Sequence, residues 1–144
     1  MKRDEHTDRQ IRTMLMSARR VAVVGMSRSP AKAAGQIPMY LAGRGYDVIP
    51  INPNADCICG RRSYASITEV EDQIDIVDVF RPSDQAAAVV REALTKRPKM
   101  IWLQEGIYSD EAEKLARQEG IPLVYNRCIM VEHQRLVGAD GRQV

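Results

Sequence analysis

Residues 20–30, RVAVVGMSRSP, decide the fold. Arg20–Val24 is a short, nearly continuous apolar run, and Gly25 closes it. Runs of this kind suit strands buried on both faces of a parallel sheet. Four more follow along the chain: Asp47–Ile51 (DVIPI), Asp75–Phe80 (DIVDVF), Lys99–Leu103 (KMIWL) and Pro122–Tyr125 (PLVY). Polar, Gly or Pro residues bound each one. Segments of helical period lie between them. Ile37, Tyr40 and Leu41 make one apolar stripe, ended by Gly43 and Gly45. Ala86, Val89, Val90, Ala93 and Leu94 make a second, which Ser83 is placed to cap. A third covers Ser109–Gln118, where Asp110 and Glu111 favour the positive end of the helix dipole and Gly120 stops the helix.

Two more helices flank this core. Thr7-Asp8-Arg9-Gln10 reads as a capping box opening a helix over about 7–18, and a C-terminal helix is expected over about 128–136. The Arg61–Glu71 connection offers at most a short helix opened by Ser66 and Glu69. The alternation predicts an α/β, Rossmann-like fold of three layers, with a doubly wound parallel sheet of five strands in the order 3-2-1-4-5. Its core spans about 20–126, and residues 1–144 are expected to form a single domain.

Composition agrees. Of the 144 residues, 44% are apolar and 28% charged, enough apolar material for a core without disulfide or metal staples. Twenty-one Lys+Arg against nineteen Asp+Glu leave a net charge of +2, which makes no case for nucleic acid as the main partner. No apolar run approaches the roughly 18 residues of a membrane span. The N-terminal MKRDEHTDRQ mixes both charge signs and lacks an apolar export segment. Three cysteines in such a chain read as thiols of a reducing cytoplasm.

In a doubly wound sheet, ligands bind outside the carboxyl ends of the strands, where the winding reverses. The residues just past each run are therefore the informative ones. They are Gly25-Met26-Ser27-Arg28-Ser29-Pro30, Asn52-Pro53-Asn54, Arg81-Pro82-Ser83, Gln104-Glu105-Gly106-Ile107 and Asn126-Arg127-Cys128. The first loop is glycine-led without a full G-x-G-x-x-G. Gly25 permits the tight turn, Ser27 offers a hydroxyl and N–H groups, and Gly35 sits close to the next helix. Arg28 and Lys32 add two cations, which favours an anion such as a phosphate. An NAD site wants an acidic residue roughly 20 positions beyond its fingerprint. Here Ile51 is followed by Asn52, so plain NAD is disfavoured.

Taken together, VAVVGMSRSPAK, DVIPINPN, DIVDVFRPSD, IWLQEGI and VYNRC, in this order, resemble the small stand-alone CoA-binding proteins. They are also similar to the CoA-binding Rossmann domain of the succinyl-CoA synthetase alpha subunit and related acyl-CoA synthetases. The resemblance covers roughly residues 10–138 and implies coenzyme A, or an acyl-CoA, as ligand. It puts Gly25, Met26, Ser27 and Arg28 around the nucleotide phosphates, with Lys32 near the phosphorylated ribose. Ile51, Asn52 and Pro53 match the family's N-P element, and Phe80, Arg81 and Pro82 its F-x-P element. Gln104, Gly106 and Ile107 fall in the Q-x-G element, and Asn126 lies near the reactive end of the cofactor. Pro53 and Pro82 would then wall the pantetheine arm, with Asn52 or Gln104 as amide partners. The synthetases also carry a phosphohistidine in a second domain, whereas this chain has only His6 and His133. Ligand binding is carried over, and the ligation reaction is not.

The remaining reactive residues point less far. Cys128 follows the fifth run near a helix start, where a thiolate could exchange with CoA disulfide; burial as a small apolar residue is its ordinary reading. Cys57 and Cys59 form C-x-C without a second ligand pair, a poor zinc signal and an ordinary strand-like stretch before Gly60. Glu132 and His133 point about 100° apart on a helix, and Glu132 is expected to pair with Arg135 at the surface. Glu105 is the one general-base candidate beside the loops. Trp102 and Tyr125 are expected to pack in or beside the sheet. No triad can be assembled, so a non-catalytic carrier, sensor or assembly module is expected, alone as a homo-oligomer or with a partner enzyme. The alternatives are an NADP- or acyl-CoA-dependent enzyme working with a partner, and a redox sensor through Cys128.

Overall fold

The structure is a computed structural model describing residues 4–138. The outermost parts of the expected domain, residues 1–3 and 139–144, lie outside the described residues. Among the described residues there are seven strands: β1 (Arg20–Val24), β2 (Asp47–Ile51), β3 (Cys57–Ile58), β4 (Arg61–Arg62), β5 (Ile76–Val79), β6 (Met100–Leu103) and β7 (Leu123–Val124). The α-helices are α1 (Asp8–Ser17), α2 (Ala33–Gly43), α3 (Ser83–Leu94), α4 (Asp110–Gln118) and α5 (Ile129–Leu136). A 3₁₀ turn covers Ile67–Glu69, with Ser66 accepting from the Thr68 N–H.

The main sheet has five parallel strands in the order β2-β1-β5-β6-β7. The doubly wound class is the expected one, and the place of one run needs correcting. In an order of 3-2-1-4-5 a third strand lies outside the second. That place is held by a single parallel bridge from Ile51 to Tyr64, and the Asp75–Phe80 run lies against β1 instead. The intervening chain spends its residues on the antiparallel β3–β4 hairpin, whose turn residues Cys59 and Gly60 both have positive φ, 52° and 78°. A two-residue turn of this kind matches the twist of its strands. Too little chain then remains for a full strand beside β2.

Strand alternation divides the core in two. Val21, Val23, Ile76, Met100 and Trp102 face α1, α2 and α5, through Ile11, Leu15, Ile37, Leu41 and Ile129. Ala22, Val77, Val79, Ile101 and Leu103 face α3 and α4, through Ala86, Val90, Ala93, Ala112 and Ala116. Both sides of each central strand are therefore buried, which is why the runs carry no polar alternation. The Thr7–Gln10 capping box forms in both directions. Ser109 caps α4 through the Ala112 N–H. Ser83 does not cap α3: it is that helix's first residue, and its hydroxyl accepts from the Tyr108 N–H at 3.0 Å. Pro82 stands at the N-cap, where its fixed φ suits the entry.

Candidate functional site

The register places the five informative loops on one rim. Val24, Ile51, Val79 and Leu103 stand abreast at the carboxyl ends of β1, β2, β5 and β6. Gly25, Asn52, Phe80 and Gln104 follow them directly, and Asn126 lies two residues past β7. The winding reverses between β1, which feeds α2 on one face, and β5, which feeds α3 on the other. This is the crevice where open α/β sheets take ligands.

Gly25 lies at its centre with φ 88°. A Cβ there would come within 3.0 Å of Arg81 Cδ and 3.3 Å of the Phe80 carbonyl oxygen, so only glycine lets the two loops approach this closely. Gly35 is more tightly confined. A Cβ on it would fall 2.0 Å from the Ser29 carbonyl oxygen, so the loop folds directly onto the first turn of α2.

Pro38, a residue that loop reading passes over, helps to fix that fold. It sits inside α2 and has no N–H to give to the Ala34 carbonyl. That carbonyl instead accepts from the Ser27 N–H at 3.0 Å. The Ser27 hydroxyl accepts from the Ser29 N–H, also at 3.0 Å. The Ser27 and Ser29 amides are thus spent on shaping the loop and are not offered to an anion. In the first turn of α2 the Gly35 and Gln36 amides both go to the Lys32 carbonyl, which leaves Ala33 and Ala34 as the N–H groups without an intrahelical acceptor.

The cations around this turn are uncommitted. Arg28 and Lys32 are exposed, and neither forms an ion pair among the described residues. Arg81, whose chain lies across Gly25, bonds only the neutral Gln85 amide oxygen among the described residues. Elsewhere Arg20, Arg61, Arg91, Arg97 and Arg117 each face a carboxylate. Three unmatched cations beside a helix N-terminus suit a phosphate-bearing ligand.

The rim amides make hydrogen bonds within the chain. Asn52 Nδ2 donates to the Met26 carbonyl at 2.9 Å and its Oδ1 accepts from the Asn54 N–H at 2.8 Å, which ties the second loop to the first. Gln104 is buried, and its Oε1 accepts from the Ile129 N–H at 3.1 Å, docking the start of α5. Asn126, with φ 54°, accepts from the Gly106 N–H at 2.8 Å. Past the ends of the ladder, backbone donors and acceptors need new partners, and these side chains supply them. Asn52 and Gln104 are therefore fasteners of the rim. Met26 and Ile51 lie buried behind it, Phe80 and Ile107 are half-buried, and Pro53, Pro82 and Gly106 are exposed along it.

The acid–base suspects fall elsewhere. His133 is fully buried, its Nδ1 2.8 Å from the Tyr40 hydroxyl and its ring edge-on to Tyr40 and Tyr46. The Glu132–Arg135 pair forms at 2.5 Å, but Glu132 is buried rather than at the surface. It also faces the buried Arg127 at 3.9 Å, and Arg127 in turn holds Asp4 at 3.1 Å. An i,i+3 spacing shows that two side chains are neighbours and is silent about what lies over them. Trp102 packs in the sheet and donates to the Arg127 carbonyl, and Tyr125 packs against Tyr108. Cys128 stands half-buried at the N-cap of α5 against the core, while Cys57 and Cys59 are exposed. Two cavities are not lined by the three cations Arg28, Lys32 and Arg81. One, of about 670 Å³, runs between α4, β7 and residues 4–6; the other, of about 190 Å³, lies beneath the β3–β4 hairpin with Met26 in its wall.

This rim, glycine-centred and cationic on a doubly wound sheet, defines a nucleotide-binding type of α/β domain. The profile of the CoA binding domain family matches residues 19–134, and the chain belongs to that family. It is 33% identical over 124 residues to the uncharacterized protein YneT of Bacillus subtilis, covering 86% of this chain and 92% of that one. It is 32% identical over 120 residues to an ADP-forming acetate–CoA ligase II of Archaeoglobus fulgidus, covering 82% of this chain but 18% of the ligase. A solved Thermus thermophilus structure superposes with a TM-score of 0.87 at 39% identity, over 91% of this chain and 99% of that one. Among the described residues, no helix is long and apolar enough to cross a membrane, and no three His, Cys, Asp or Glu side chains are grouped to hold a metal.

Proposed function

We propose that the protein binds coenzyme A or an acyl-CoA along the carboxyl rim of its sheet, with the phosphates at the β1–α2 loop. The observation that carries this reading is the set of three unmatched cations, Arg28, Lys32 and Arg81, gathered where Gly25 and Gly35 bring backbone closest together. Coenzyme A carries a pyrophosphate and a 3′-phosphate, which these side chains and the Ala33 and Ala34 N–H groups would meet. With Asn52 and Gln104 engaged, the pantetheine amides would pair with backbone groups of the exposed 53–54, 81–82 and 105–106 stretches.

The protein acts, in this reading, as a carrier, sensor or assembly module in a reducing cytoplasm, with no catalysis of its own. Its buried His133, Glu132 and Arg127 are held in structural contacts, which supports a binding role. A partner enzyme or a second copy would supply any chemistry. Titration calorimetry tests the reading with coenzyme A, dephospho-CoA and NADP. Coenzyme A is expected to bind at least about tenfold more tightly than dephospho-CoA, since one charge-assisted contact is worth about 1.5–3 kcal/mol. Equal affinities for the two would remove the cations from the 3′-phosphate, and preference for NADP would replace the ligand altogether.

A further inference from the structure

Asp78 stands inside β5, fully buried, with Val23 of β1 and Trp102 of β6 as its register neighbours. Alternation turns it toward the face that α1, α2 and α5 cover. Among the described residues, neither carboxyl oxygen has a hydrogen-bond partner. None of the titratable and charged groups that the surrounding elements turn into this core hydrogen-bonds the Asp78 carboxyl. From α5 and its N-cap these are Cys128, Glu132 and His133. From α2 they are Tyr40 and Arg44, and from the connections Tyr46 and Arg127. Glu132 is held by Arg135 and faces Arg127; His133 Nδ1 meets Tyr40, while its buried Nε2 has no hydrogen-bond partner among the described residues. Arg44 reaches the Gly138 carbonyl, and the Tyr46 hydroxyl donates to that of Leu15. β1, β6 and α1 turn apolar side chains inward here, Val21, Val23, Met100, Trp102, Ile11 and Leu15 among them.

We infer that the fold takes up a proton at Asp78 as β1 and β5 close, which makes the switch point a pH-sensitive latch, firm in acid and loosened by base. A carboxylate in this apolar seam would be a buried charge without a counter-ion, whereas the neutral acid costs far less. Burial alone pushes the Asp78 carboxyl well above the ordinary carboxylate range. The sign follows from proton counting. Below the ordinary range, folded and unfolded chains both carry the proton, and the stability of the seam is fully present. Above it the unfolded chain releases the proton and the folded chain keeps it. Stability therefore falls with rising pH until the folded group itself ionises. Gly25 and Phe80 stand at the ends of these two strands, so the latch lies directly behind the rim, whichever ligand the rim takes.

Urea unfolding of the protein and of Asp78→Asn, from about pH 5 to pH 8, tests the latch. The expected result is a folding equilibrium constant that falls about tenfold per pH unit relative to Asp78→Asn, the signature of one proton. Parallel pH profiles would overturn it. The infrared C=O stretch of a protonated carboxylic acid gives a second readout in the unaltered protein, should the Asn variant fold poorly. It is expected at neutral pH in the folded protein and lost on unfolding. Its absence from the folded protein at neutral pH would also overturn the latch.

Discussion

The two faces of the sheet are built on different principles. The α3–α4 face is closed by small apolar side chains, Ala86, Ala93, Ala112 and Ala116, set against Val77, Val79, Ile101 and Leu103. The opposite face encloses Asp78, Gln104, Arg127, Glu132 and His133 beneath and beside α5. One layer is therefore held mainly by area and fit, the other also by proton positions and charge pairing. The rim draws on both: its third and fourth loops lead into α3 and α4, while its first and fifth lead into α2 and α5.

The largest expected effect belongs to the polar face. Arg127→Met leaves Asp4 without its cation and removes one of the two that Glu132 faces, and is expected to cost about 3–5 kcal/mol. Urea denaturation at neutral pH reads that loss. Ile101→Ala probes the apolar face. It empties a fully buried site and should cost about 3–4 kcal/mol, with the same value at every pH. If Arg127→Met costs under about 1 kcal/mol, the contrast between the faces fails.

The smallest effect sharpens the contrast within a single stretch of chain. Asp75 lies three residues before Asp78 and titrates in the opposite direction. Burial raises its carboxyl, but the N–H groups of Arg20 and Arg19, together with Lys99, outweigh that and hold it below the ordinary range. Its contribution is present above the ordinary carboxylate range and is lost as pH falls through the lowered value. Asp75→Asn should cost about 2 kcal/mol at neutral pH, and the deficit should shrink in acid. Thermal melts at the two pH values decide it, since an Asp75→Asn deficit that grew in acid would reverse the assigned sign.

Much of this was legible in the residues. The first two runs, Arg20–Val24 and Asp47–Ile51, fall on strands with those same limits, because burial on both faces leaves an unbroken apolar signature. The Thr7 capping box was readable because capping is local. Ser83 misled, because a hydroxyl at a helix start can turn to a loop 25 residues away. The β3–β4 hairpin left little periodic trace, with two residues per strand and Cys59 where Asn usually marks the turn. For the site, the rim loops and their cations could be named from sequence. The employment of Asn52 and Gln104 could not, since an amide reads the same whether it faces a ligand or a neighbouring backbone.

By itself the sequence determined the layered α/β class and the loops that share one edge, because apolar runs and helical stripes are short-range patterns that survive without knowledge of neighbours. Tertiary structure alone decided that Tyr64 and not the third run lies beside β2, that Pro38 frees a carbonyl for Ser27, and that Asp78 has no hydrogen-bond partner among the described residues. Each of these depends on which groups distant in the chain are brought within about 3 Å, the range over which a hydrogen bond forms or fails.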